Sequence, residues 1–297
     1  MIVNQIYVSR NRIQSIALGI MQLNQRLNYF VDLDRYPIHD LDSEAGQAMV
    51  SRFQKMMARD TLCLMEGFLR APAVTLLSSE ITTLETRAHR IDYPCTIYGW
   101  MDNSGFSPEH PRSQLLRRHC GVISTELIDP KGPCTELFEF DQLTEFIRRL
   151  LGYDMLYRSA CPTLSIQINV MQEDESFDWH FDTNDGVVSL TVQNADKGGN
   201  FEFAPLIRSE DDENYGGVAN ILNGVDQPNR PEMPPGTLSL FLGRRSLHRV
   251  APVGPTSRAR QSILYSYDQK PGMVFPAKTC ERITSSSREP YNGALTQ

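Results

Sequence analysis

Phe177-Asp178-Trp179-His180-Phe181-Asp182-Thr183-Asn184 is the stretch whose reading decides the fold. His180 and Asp182 stand two residues apart. On an extended strand, residues i and i+2 share a face. An imidazole and a carboxylate placed in this way can grip one metal ion. A third candidate ligand, His248, follows in Ser246-Leu247-His248-Arg249-Val250. Two histidines and one carboxylate on one face of a metal leave its other coordination positions open. Asp178 lies two residues before His180 and has the parity to compete with Asp182. Downstream stand Arg258, Arg260, Gln261 and Ser262. Arg260 and Ser262 share a strand face, and a guanidinium fork beside a hydroxyl suits a carboxylate. Arg258 has the same parity and is the alternative clamp. Trp179 points away from His180 and reads as core.

Outward from this stretch, the chain reads as strands. They are Ser165–Met171, Val187–Asn194, Asn200–Phe203, Thr237–Leu242, Arg249–Val253 and Ser262–Asp268. Turn residues at 196–199, 234–236 and 254–255 separate them. Short strands with such turns predict an antiparallel sandwich or barrel. The acidic run from Glu210 to Asn214 and the wider segment Ile207–Pro235 read as loop.

Upstream the period changes to that of helices. Ile13, Ile16, Ala17, Ile20, Leu23 and Leu27 recur at helical spacing. Asp42 and Ser43 start a second helix carrying Ala45, Met49, Phe53, Met56 and Met57. Pro72–Ile81 predicts a third helix. Asp141 is read as the cap of a fourth, which ends at Gly152. Between Asp92 and Pro133, five prolines together with Gly99, Gly105 and Gly121 predict loop with short pieces. Helices first and strands later predict an α+β fold in one domain. The expected division is helical support and loop over 1–153, a strand-built core over 154–275 and a tail over 276–297.

Composition excludes several partners. The 297 residues are 40% hydrophobic and carry a net charge of −7, so a nucleic acid or an anionic membrane lacks a basic footprint to bind. No stretch approaches the roughly 18 to 20 apolar residues of a membrane span. Met1–Arg12 shows no basic region followed by an apolar one, so no secretory signal is expected there. The cytoplasm is the expected compartment. Six scattered cysteines form no close pair, which predicts reduced thiols and argues against structural zinc.

The set His180-x-Asp182, His248 and Arg260-x-Ser262 resembles the Fe(II)/2-oxoglutarate-dependent dioxygenases. Its order and spacing agree, with 68 residues from His180 to His248 and 12 more to Arg260. Further stretches narrow the likeness: Gly199-Asn200-Phe201-Glu202-Phe203, Asp212-Glu213-Asn214-Tyr215 and Tyr265-Ser266-Tyr267-Asp268. Over Pro108–Phe275 the chain resembles the branch of the free amino-acid halogenases of the BesD type and their hydroxylase relatives.

The resemblance implies a double-stranded β-helix, or jelly roll, as the core, with the helices packed on it. It implies Fe(II) on His180, Asp182 and His248. It places the far carboxylate of 2-oxoglutarate on Arg260 and Ser262, with O2 as co-reactant and ascorbate as a helper. Asn169 would help to hold the cosubstrate, although Met171 replaces the aromatic that usually follows. The halogenases have a small residue where Asp182 stands, so hydroxylation of a C–H is implied. The implied substrate is a free amino acid or a metabolite derived from one. Arg112, in His110-Pro111-Arg112, is the candidate for its carboxylate, with Thr183 and Asn184 reaching toward it. Desaturation, cyclisation and a non-catalytic metal- or ligand-binding sensor stay open as alternatives, as does a homodimer. His39, His89 and His119 have no ligand partner at a telling spacing and read as structural.

Overall fold

The computed structural model describes residues 19, 21–99, 101–182 and 187–285. Its helices are α1 (21–30), α2 (Glu44–Asp60), α3 (Ala71–Leu84), α4 (Pro133–Glu139), α5 (Asp141–Leu151), α6 (Tyr215–Leu222) and α7 (Ala277–Thr284). Its strands are β1 (Leu62–Met65), β2 (His89–Thr96), β3 (Leu115–Ile123), β4 (Tyr157–Arg158), β5 (Ile166–Met171) and β6 (Ser176–His180). They continue with β7 (Val187–Gln193), β8 (Phe201–Ala204), β9 (Leu238–Phe241), β10 (Leu247–Val250), β11 (Arg260–Tyr265) and β12 (Tyr267–Asp268).

One curled antiparallel sheet runs β1-β9-β7-β11-β5-β3-β6-β10-β8, with β2 paired to β3. β3 pairs with β5 through Gly121–Ile123 and with β6 through Arg118 and His119. It therefore bridges the two halves of the roll.

Period-two alternation decides what faces inward. On β7, Val188, Leu190 and Val192 are buried in the main core, while Val187 and Ser189 line a cavity. On β11, Ile263 and Tyr265 face the core and Arg260, Ser262 and Leu264 face the cavity. β5 repeats the pattern with Ile166, Ile168 and Val170 against Gln167 and Asn169. Helices α2, α3 and α5 cover the core side through Phe53, Leu77, Ile81, Phe146 and Ile147. The roll is thus greasy outside, under its helices, and polar inside. Phe146 is fully buried between Phe53 and Phe68. Phe146→Ala is expected to cost about 3–5 kcal/mol, because the void cannot refill. A urea midpoint moved by less than the equivalent of about 1 kcal/mol would show that α5 is not part of this core.

Several expectations hold and several change. Ser43 caps α2, its Oγ accepting from Gly46 N at 3.1 Å. Of the first expected helix, the part over 21–30 is helical, and 13–18 and 20 lie outside the described residues. Asp141 is not a cap but the first residue of α5, and its carboxylate accepts from Arg158 instead. The segment expected as loop carries β2 and β3. Pro94 is tolerated because β2 pairs only with β3 among the described strands, leaving its other edge without ladder bonds. The sheet therefore takes β1, β2 and β3 from before residue 154. Within the expected loop Ile207–Pro235 lies α6, capped by Asn214, whose Oδ1 accepts from Gly217 N. Within the expected tail lies α7, which packs on β2. All six cysteines are free thiols. No helix among the described residues is long and apolar enough to cross a membrane.

Candidate metal centre

β6 and β10 pair antiparallel, with His180 opposite His248. Directly opposed side chains lie close, and here the two rings stand 4.1 Å apart between centroids. The chain then turns after His180 and brings Asp182 back between them. Its backbone N–H donates to Gly243 O at 3.1 Å, which anchors the turn. Asp182 Oδ1 is 3.6 Å from His180 Nε2, and Oδ2 is 3.4 Å from His248 Nε2. One donor atom from each residue lies within 4.8 Å of the others, and this set can hold a metal ion.

The chemistry of the donors fits a divalent cation. His180 Nδ1 lies 2.8 Å from Asp178 O, and His248 Nδ1 lies 2.9 Å from Ser246 O. A carbonyl oxygen only accepts, so each Nδ1 carries a proton and each Nε2 is the atom turned toward Asp182 and left to bind a metal. Burial holds His180 well below the usual imidazole range, and His248 and Arg118 push the same way. The ring is thus neutral at pH 7, as a ligand must be. Asp182 Oδ2 is buried and has no hydrogen-bond partner among the described residues. A buried carboxylate oxygen without a partner is costly, and a cation would satisfy it.

Gly243 completes the cradle. A Cβ there would collide with Asp182 Oδ2 and stand 2.9 Å from His248 Cε1. Gly243→Ala is expected to weaken metal binding about 10- to 100-fold, the usual effect of disturbing what orients the ligands. Equilibrium dialysis measures it, and unchanged metal affinity would refute the cradle. The rings of Phe177, Phe201 and Phe241 pack against the two histidines and shield the centre from water.

The centre opens into a cavity of about 310 Å³, a volume suited to small ligands. Arg260 and Ser262 line it, with Arg260 Nη1 donating to Ser262 Oγ at 3.1 Å. Ser262 stands opposite Asn169 of β5, which lines the cavity too. Asn169 Oδ1 accepts from Gln167 Nε2 at 2.8 Å. Burial pushes the Arg260 guanidinium down to about 10, and it has no carboxylate partner among the described residues. The turn at Gly199 makes room for it. Gly199 has φ +66°, and a Cβ there would stand 3.1 Å from Arg260 Cδ.

Other expected residues go elsewhere. Arg258 is not a cavity residue. It precedes β11 in a turn, is exposed, and pairs with Asp196 at 3.1 Å. Strand parity does not apply to it because the strand begins at Arg260. Asp178 faces Arg249 and lies outside the cavity. Arg112 also lies outside: its Nε donates to Asn103 Oδ1, its Nη2 to Asp102 O, and its guanidinium lies 4.7 Å over Phe106. Two of its donors hold its own loop. Thr183 and Asn184 lie outside the described residues. Trp179 is buried, with Arg249 over its ring. Sequence reasoning missed Arg118, Gly243 and Phe241. For Arg118 the signal was the apolar alternation Leu116, Arg118, Cys120, Val122, hidden among prolines.

No family model and no curated protein matches the chain. Among solved structures, it resembles AviO1 from Streptomyces viridochromogenes Tue57 at 14% identity and a TM-score of 0.51, over 76% of this chain and 97% of that one. An oxidoreductase of the 2OG-Fe(II) oxygenase family from Burkholderia pseudomallei is 15% identical over 75% of this chain and 92% of its own, with a TM-score of 0.49. A prolyl-4-hydroxylase from Pseudomonas putida is 16% identical over 73% and 97%, with a TM-score of 0.45. The likeness to AviO1 is one of fold. By its own strand order the chain is a double-stranded β-helix with helices packed on it, holding a His-Asp-His cluster at its centre.

Proposed function

We propose that this chain is an Fe(II)/2-oxoglutarate-dependent dioxygenase that hydroxylates an unactivated C–H of a small polar substrate, a free amino acid or a metabolite derived from one. One observation carries the reading. A complete set of three ligand side chains and a buried arginine without a carboxylate partner open into the same small cavity. His180 and His248 offer their Nε2 atoms, and Asp182 neutralises one of the two cation charges. Arg260 and Ser262 bind the far carboxylate of 2-oxoglutarate, and Asn169 flanks it. When bound, the iron supplies oxidation by O2, with 2-oxoglutarate leaving as succinate and CO2. The protein supplies position and exclusion of water. Asp182 fills the place left small in the halogenases that the chain resembles, which favours hydroxylation over halogenation. The substrate enters as a free small molecule, and the site of action is the cytoplasm.

The test is turnover. Protein with Fe(II), ascorbate, O2 and 2-oxoglutarate is expected to form succinate, faster with one member of a broad amino-acid panel. Mass spectrometry then identifies the product. No succinate with any member would overturn the proposal in favour of a non-catalytic binding module.

A further inference from the structure

The geometry points to Arg118 as a second carboxylate-binding residue of the cavity, separate from the Arg260–Ser262 pair. The assignment rests on the dioxygenase reading, because that reading gives Arg260 its own carboxylate.

Arg118 sits on β3, the strand that bridges the two halves of the roll, and pairs in register with Phe177 of β6. Alternation on β3 separates it from its neighbour. Arg117 points outward and binds Asp92 at 2.8 Å. Arg118 points inward and lines the cavity. Its guanidinium lies 4.5 Å over the Phe177 ring, and that ring is 4.7 Å from the ring of His180. One aromatic ring thus spans the gap between Arg118 and the metal ligands.

Charge counting supplies the second argument. Asp182 is the one carboxylate among the described residues lining the cavity, and it faces the two histidines. No acidic side chain among the described residues forms an ion pair or hydrogen bond with Arg118. Among the described residues, Arg260 has a hydrogen bond to Ser262 and no acidic partner. Arg118, Arg260 and Arg282 thus line a small cavity whose one carboxylate among the described residues, Asp182, faces the two histidines. The cation–π contact with Phe177 does not replace a bidentate anion. A ligand carboxylate does. Arg260 takes one. The other comes from the keto-acid end of 2-oxoglutarate or from the substrate. Arg112, the residue first expected in this role, lies outside the cavity and donates to Asn103 and Asp102.

Binding to the full chain loaded with Mn(II), without O2, separates these sources. The probes are 2-oxoglutarate alone, then the amino-acid panel and its primary amides added to the 2-oxoglutarate complex. Calorimetry on Arg118→Gln is expected to show at least a tenfold loss for one class of carboxylate, partly restored in Arg118→Lys. Weaker 2-oxoglutarate binding identifies the cosubstrate as the source. Unchanged 2-oxoglutarate binding, with the preference for acids over amides abolished, identifies the substrate. If both stay within twofold of wild type while the melting temperature shows a folded variant, the assignment is wrong. Wild-type protein that binds no 2-oxoglutarate overturns the dioxygenase reading itself, and Arg118 falls with it.

Discussion

Asp182→Ala is expected to abolish the proposed hydroxylation and to leave the fold intact. Its carboxylate is the one anion of the candidate metal centre, and without it two imidazoles alone would face the dication. The apo protein loses little. Oδ2 is already buried without a hydrogen-bond partner, so deleting it removes a cost. The melting temperature without metal is therefore expected to stay equal or to rise. The stabilisation by metal should vanish, a difference of about 2.7 kcal/mol at a metal concentration a hundred times the wild-type Kd. Metal content after dialysis and succinate formation give the two readouts. A variant with full hydroxylase activity would show that Asp182 is not a ligand.

Arg260→Ala is the second large effect, and Arg258→Ala is its control. Arg260 is 7% exposed and faces the cavity. Truncating one partner of a buried, hydrogen-bonded charge pair costs about 2–5 kcal/mol. That corresponds to a requirement for 2-oxoglutarate raised by roughly 30- to several thousand-fold. Arg258 makes an exposed pair with Asp196, a type worth about 0–1 kcal/mol to stability and nothing to the cavity. Its removal should leave the requirement for 2-oxoglutarate within about twofold. The KM for 2-oxoglutarate in both variants decides between them, and the reverse order would exchange their roles.

Legibility in the sequence followed locality. The strands β5, β7, β8, β9 and β11 and helices α2, α3 and α5 were expected close to where they lie, because their own residues carry the pattern, whereas β6 was not listed as a strand and β10 was expected two residues late. β2 and β3 were not expected, since their partners lie far away. Pro94 is acceptable only on a strand with one neighbour, a fact of pairing rather than of propensity. The seven-residue α4 and eight-residue α6 are too short for a period to show. Arg258 and Arg260 were equivalent by parity until the start of β11 put one in a turn and the other in the wall of the cavity.

The candidate site divides in the same way. His180-x-Asp182, His248 and Arg260-x-Ser262 stand in the sequence by themselves, because a strand places i and i+2 on one face. The ordinary charge balance and the lack of a long apolar run also stand there, because composition needs no fold. That His180 meets His248 across a ladder 68 residues wide was decided by tertiary structure. So were the need for glycine at position 243, the surface role of Arg258 and the inward turn of Arg118. Each depends on which strands become neighbours, and burial energy summed over the whole chain settles that choice, beyond the reach of any local pattern.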